Sequence, residues 1–184
     1  MRGVGGQMAT NLAFNDLMDY TGWERQKWHH FLREHGPEVL KITAGPNSGT
    51  RFTSTGDLIK HMFSAEKRYV DRLSGRALTE TAALPNDDIE ALFRFGEQSR
   101  RGFKQFVETF PEQSWDIPEE HKLGNSVLIV TPRKIVAHIL LHEIRHWAQI
   151  ATLFRMNGLT DGFHDFLFSP ALGGEIRREQ ASGG

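Results

Sequence analysis

The chain has 184 residues, enough to bury a core within one domain and short for two. Lys and Arg number 22 against 23 Asp and Glu, so a net charge of −1 offers no electrostatic footprint for a nucleic-acid backbone or an anionic membrane. Cysteine is absent, which excludes disulfides, thiolate metal ligands and a cysteine nucleophile; any thiol chemistry needs a thiol from outside.

The opening Met1-Arg-Gly-Val-Gly-Gly-Gln7 carries no apolar signal core. The greasiest stretch, Ile135 to Ile144, is short and interrupted by His138, His142 and Glu143. A soluble, cytoplasmic protein without membrane or nucleic-acid partners is expected.

Apolar residues recur at helical spacing in four long segments separated by Gly, Pro and Ser/Thr clusters, which predicts an all-α fold. The first helix is expected from Asn11 to Glu34, with Leu12, Phe14, Leu17, Tyr20, Trp23, Trp28 and Phe31 on its apolar side and Gly36-Pro37 as the stop. The aromatic residues of this set read as core, one or two of them walling a pocket. Gly45 to Thr50 reads as a loop, without the Gly-Lys-Ser/Thr ending of a phosphate-binding loop.

The second helix should start at Ser54 or Thr55, with Asp57 at the positive end of its dipole, and finish near Leu73 before Gly75. The third runs from Asp87 to Phe110 between Pro85-Asn86 and Pro111. The fourth opens with Thr131-Pro132 and closes at Asn157-Gly158.

Between the last two helices, Val127-Leu-Ile-Val130 and Gly124-Asn125 suggest a small β-hairpin over one end of the bundle. The expected organisation is a single domain over residues 1–184. It has a four-helix-bundle core from about 11 to 160 and a tail from 161 to 184, whose first part packs on the bundle.

The chemistry concentrates in the string His138-Ile-Leu-Leu-His142-Glu-Ile-Arg-His146-Trp-Ala-Gln149. Residues four apart on a helix lie on one face, so His142 and His146 can chelate one ion. An open metal site wants a third protein ligand, and His61 is the best candidate because it shares a stripe with Leu58, Met62, Ala65 and Tyr69. The alternative is a set of core histidines satisfied by hydrogen bonds. Gln149 lies on the histidine stripe, where it could orient a ligand or bound water, or sit as a core-edge amide. His138 extends the stripe as a pocket residue or fourth imidazole. His29 and His30 on helix one are weaker candidates, and His35, His121 and His164 read as loop residues.

A helix-two histidine followed by a last helix reading His142-x-x-x-His146-x-x-Gln149 and ending Leu153-Phe-Arg155-Met-Asn-Gly158 resembles the DinB/YfiT-like superfamily of metal-binding four-helix bundles. The segment His61-Met-Phe-Ser-Ala-Glu66 with Gly75 fits the family pattern around its first ligand. Many members read His-Arg-Gly-Gln where this chain has His146-Trp-Ala-Gln149. The resemblance spans about residues 11 to 160. It implies a divalent metal on His61, His142 and His146, and an enzyme acting on a small molecule with a low-molecular-weight thiol such as bacillithiol, mycothiol or glutathione, as an S-transferase or isomerase. Three imidazoles accept zinc or nickel first, and iron or manganese too. A homodimer is expected.

The same string offers a rival. His142-Glu143-Ile-Arg-His146 satisfies His-Glu-x-x-His, in which Glu143 would be the base of a metal-dependent hydrolase. Gln149 and Thr152 break the extended metzincin pattern, and Glu175 is the only plausible third ligand downstream. A third reading is non-enzymatic: a stress-related metal-binding protein. The catalytic candidates are thus Gln149, Glu143 and His138.

Overall fold

The computed structural model describes residues 12–45, 52–123, 125–160, 162 and 164–173. Helices α1 (Phe14–His35), α2 (Thr55–Leu73), α3 (Ile89–Thr109) and α4 (Pro132–Met156) appear where the periodicity placed them, and β1 (Glu119–Leu123) pairs antiparallel with β2 (Ser126–Val130). Residues 46–50 of the expected loop and the tail from 174 lie outside the described residues. His35 closes α1 and His121 sits on β1, so neither is in a loop. Among the described residues, no helix is long and apolar enough to cross a membrane.

Side chains set the helix starts. Ser54 Oγ accepts the Asp57 N–H at 3.1 Å while Asp57 Oδ2 accepts the Ser54 N–H at 3.2 Å, a reciprocal pair that satisfies two free donors. Asp88 caps α3 through the Ala91 N–H, and Thr131 caps α4 through the Lys134 N–H with Pro132 at the first helical position. At the far end of α4, Gly158 adopts φ 77°, a conformation that costs a side-chain-bearing residue, and lets the Leu159 N–H reach the Phe154 carbonyl.

The segment between α2 and α3 runs back alongside α2. Thr79 binds Asp71 near the end of that helix, Lys60 donates to the Ala82 and Leu84 carbonyls near its middle, and Asn86 binds Asp57 at its start. So α3 begins where α2 begins, and the two run parallel. Gly56 permits this return, because a Cβ there would stand 1.8 Å from the Asn86 carbonyl oxygen.

Two apolar clusters fill the bundle. One gathers Trp28, Phe63, Leu92, Ile150 and Phe154, and the other Met18, Val70, Phe103, Val136 and Leu140. Between the two clusters each helix contributes one residue to a shared charged layer: Arg25 on α1, Glu66 on α2, Arg100 on α3 and Glu143 on α4. These four meet in a buried ionic layer across the bundle.

The hairpin forms but does not cover the bundle end as expected. Val130 packs against the second cluster, whereas Val127, Leu128 and Ile129 remain 57%, 40% and 72% exposed. The reason is that Trp115 already plugs that end, packed against Phe14, Phe106 and Phe110. The segment after α4 does pack: His164 stacks on Trp28 with ring centroids 4.2 Å apart, and Phe166 meets Tyr20 edge-on.

Candidate metal centre

Helix α4 presents His142 and His146 one turn apart, and α2 brings His61 opposite them. The Nε2 atoms of His61 and His146 each lie 3.0 Å from Nε2 of His142. The rings stand nearly edge-on to one another, with interplanar angles of 67°, 89° and 79°, so three ring nitrogens converge on a common point. Ligand nitrogens about 2.1 Å from one ion stand roughly 3 Å apart, so the spacing fits a divalent cation. One ligand atom from each of the three histidines lies within 4.8 Å of the others.

Hydrogen bonding selects the ligating nitrogen. His146 Nδ1 stands 2.6 Å from Gln149 Oε1, and an amide oxygen only accepts, so the ring donates from Nδ1 and keeps the lone pair on Nε2. Gln149 reaches back one turn to do this, which is why it shares the histidine stripe.

The site's electrostatics keep His142 and His146 neutral. Burial, then the neighbouring charges of His146 and His61, push the His142 pKa down to about 3. Burial also lowers His146, against the opposing Gln149 hydrogen bond, and it lowers His138 with help from Arg145. Neutral imidazole is the form that ligates a metal.

The centre lies in the seam between α2 and α4, not in the middle of the bundle. His146 is 3% exposed, while His61 and His142 are half-buried. The ionic layer occupies the middle instead. Phe52 walls the site, its ring 4.4 Å from His61. Of the aromatic residues on α1, Trp28 packs in the core against Trp147 rather than against the histidines.

A model of the DinB family matches residues 8–178. The chain belongs to the DinB family. The matched span takes in all four helices, the hairpin and the segment docked on α1. Among curated proteins, none matches the chain.

In this DinB bundle, Glu143 is turned away from the histidines. It is 2% exposed; its carboxylate accepts Arg25 Nε at 2.6 Å, Arg25 Nη2 at 2.9 Å and Trp147 Nε1 at 3.2 Å, and also binds Arg100. Its position some 100° around the helix from His142 points it inward. Burial pushes its carboxyl up, but Arg25 and Arg100 more than offset this and hold it below its usual value. Both oxygens are engaged by these donors. Glu175 lies outside the described residues; among those described, His61 completes the trio with His142 and His146.

His138 stays exposed one turn before His142, with ring centroids 5.3 Å apart, and meets Tyr69 edge-on; it is not one of the three converging donors. The acidic residue of the DinB pattern, Glu66, belongs to the ionic layer with Arg25 and Arg100. Arg25 Nη1 also donates to the Gly96 carbonyl at 2.9 Å, and Arg100 Nη1 to Thr21 Oγ1 at 2.7 Å. Sequence reasoning missed both arginines, although each interrupts an apolar helical stripe, which was the available signal.

Proposed function

We propose that this DinB protein is a divalent-metal-dependent enzyme that uses a low-molecular-weight thiol, as an S-transferase or isomerase on a small-molecule substrate. The observation that carries the proposal is a half-exposed centre where three imidazole nitrogens from two helices converge. A divalent ion held by His61, His142 and His146, zinc or nickel first, supplies Lewis acidity that lowers the pKa of a thiol or water beside it.

The residues around the centre divide the remaining work. Gln149 fixes the tautomer and ring angle of His146. Phe52 packs against the His61 side of the centre. His138, exposed and held neutral, is placed to accept a proton that a thiol loses on binding. The thiol comes from solution, since the chain has none of its own.

Metal-assisted hydrolysis with Glu143 as base is the weaker reading, because its carboxylate is tied to Arg25, Arg100 and Trp147. The test is elemental analysis of the purified protein, followed by incubation of the metal-loaded and chelator-treated forms with several low-molecular-weight thiols and an electrophile. Metal-dependent thiol conjugation that is lost in His61→Ala supports the proposal. Hydrolysis without thiol consumption would overturn it in favour of a hydrolase, and a loaded protein inert in both assays would favour metal storage.

A further inference from the structure

A second polar site lies on the other side of α4. Trp147, Ala148 and Ala151 stand roughly half a turn around the helix from His142, His146 and Gln149 at about 100° per residue. With Glu24 and Trp28 of α1 and His164 of the docked segment, they bound a cleft of ≈ 280 Å³.

Glu24 is the unusual member. It is 3% exposed, and its Oε2 accepts Trp28 Nε1 at 3.0 Å and His164 Nδ1 at 3.1 Å. Its Oε1 is buried and receives no hydrogen bond. Native proteins rarely leave a buried carboxylate oxygen without a donor, and such an orphan beside a cleft points to a donor arriving from outside.

We propose that this cleft binds a small primary ammonium at the Glu24 carboxylate, which turns to bring Oε1 to the incoming N–H, with the ligand's apolar body lying against Trp28, Trp147 and Ala151. One anion within a mostly apolar wall selects a cation with an apolar body. A quaternary ammonium has no N–H to donate, and a neutral alcohol brings no charge. Glu24 is the only carboxylate among the described residues lining the cleft, so a second cationic group on the ligand would meet no acceptor of opposite charge. The volume sits at the small end of ligand pockets, about 300–1,000 Å³, which limits the ligand to a short alkyl or single-ring amine. The site is independent of the thiol chemistry proposed above.

The experiment is calorimetric titration of the full-length, metal-loaded protein with butylammonium, benzylammonium, 1,4-diaminobutane, tetramethylammonium and benzyl alcohol. Saturable one-to-one binding of the two monoamines is expected, with the other three weaker by about tenfold or more. Glu24→Gln should weaken benzylammonium by at least about tenfold. Ala148→Leu, which fills the cleft from an exposed helix position, should abolish binding while leaving the metal stoichiometry unchanged. If Glu24→Gln does not fold, Ala148→Leu decides. No saturable binding of either monoamine, or binding that survives Ala148→Leu, would overturn the proposal.

Discussion

Glu143→Gln separates a structural from a catalytic role at the one position where the motif readings collide. The substitution keeps the shape but removes one of the layer's two anions, leaving Arg25 and Arg100 to share Glu66. Breaking a buried pair by removing one partner costs about 3–5 kcal/mol, because the remaining charge is left uncompensated. Against a total stability of about 5–15 kcal/mol, that is a large share. For a chain of this length it corresponds to a drop in Tm of about 6–20 °C. Differential scanning calorimetry at neutral pH reads the shift, and elemental analysis should show the metal content of the parent. A variant with the parent's Tm but no turnover would refute the reasoning and return Glu143 to the role of general base. The same layer also has a pH signature. The Glu143 carboxyl is held below its unfolded value, so its contribution is present above about pH 4.3 and is lost as pH falls through the lower folded value.

Other outcomes follow from the centre and the loop that frames it. His61→Ala should abolish stoichiometric metal binding by elemental analysis; full occupancy would refute the three-histidine site. Gln149→Leu should weaken metal affinity about 10–100-fold, or about 1.4–2.8 kcal/mol, in a chelator competition, because the Nδ1–H of His146 loses its acceptor. Metal should be retained as pH falls through about 6, where free imidazole protonates, and leave only at lower pH, because burial holds His142 and His146 below their usual values; loss of the metal already at about pH 6 would contradict this. The metal-free protein should lose stability in acid: His142 has a folded pKa of about 3, so below about 6.5 the unfolded chain binds the proton first. Urea unfolding that is flat between about pH 4 and 7 would contradict this. Gly56→Ala should lower Tm, since the new Cβ meets the Asn86 carbonyl and the loop must move.

Much of this was legible because helices advertise themselves locally. Ser54 with Asp57, and Thr131 with Pro132, write their own helix starts, and the spacing of His142 and His146 writes half a metal site within a single helix. What escaped was whatever depends on chains meeting across the fold. Arg25 and Arg100 each break an apolar stripe, but nothing local says that four helices will bring them against Glu66 and Glu143. The parallel course of α2 and α3 depends on hydrogen bonds from Thr79, Lys60 and Asn86 that no periodicity encodes. Likewise the hairpin was readable as an element, but its exposure was not, because Trp115 took the space it would have covered.

The ionic layer has a mechanical consequence for the centre beside it. Apolar surfaces are forgiving of sliding, and two helices can shift past each other by a turn, about 5.4 Å, while still burying leucine against phenylalanine. Guanidinium–carboxylate forks are not, because a slide of that size leaves charges unmatched in a dry interior. Glu66 lies five residues from His61 on α2, and Glu143 lies between His142 and His146 on α4. The layer therefore works as a vernier: it indexes α2 against α4, so that donors on separate helices arrive at one height before any ion is present to draw them together.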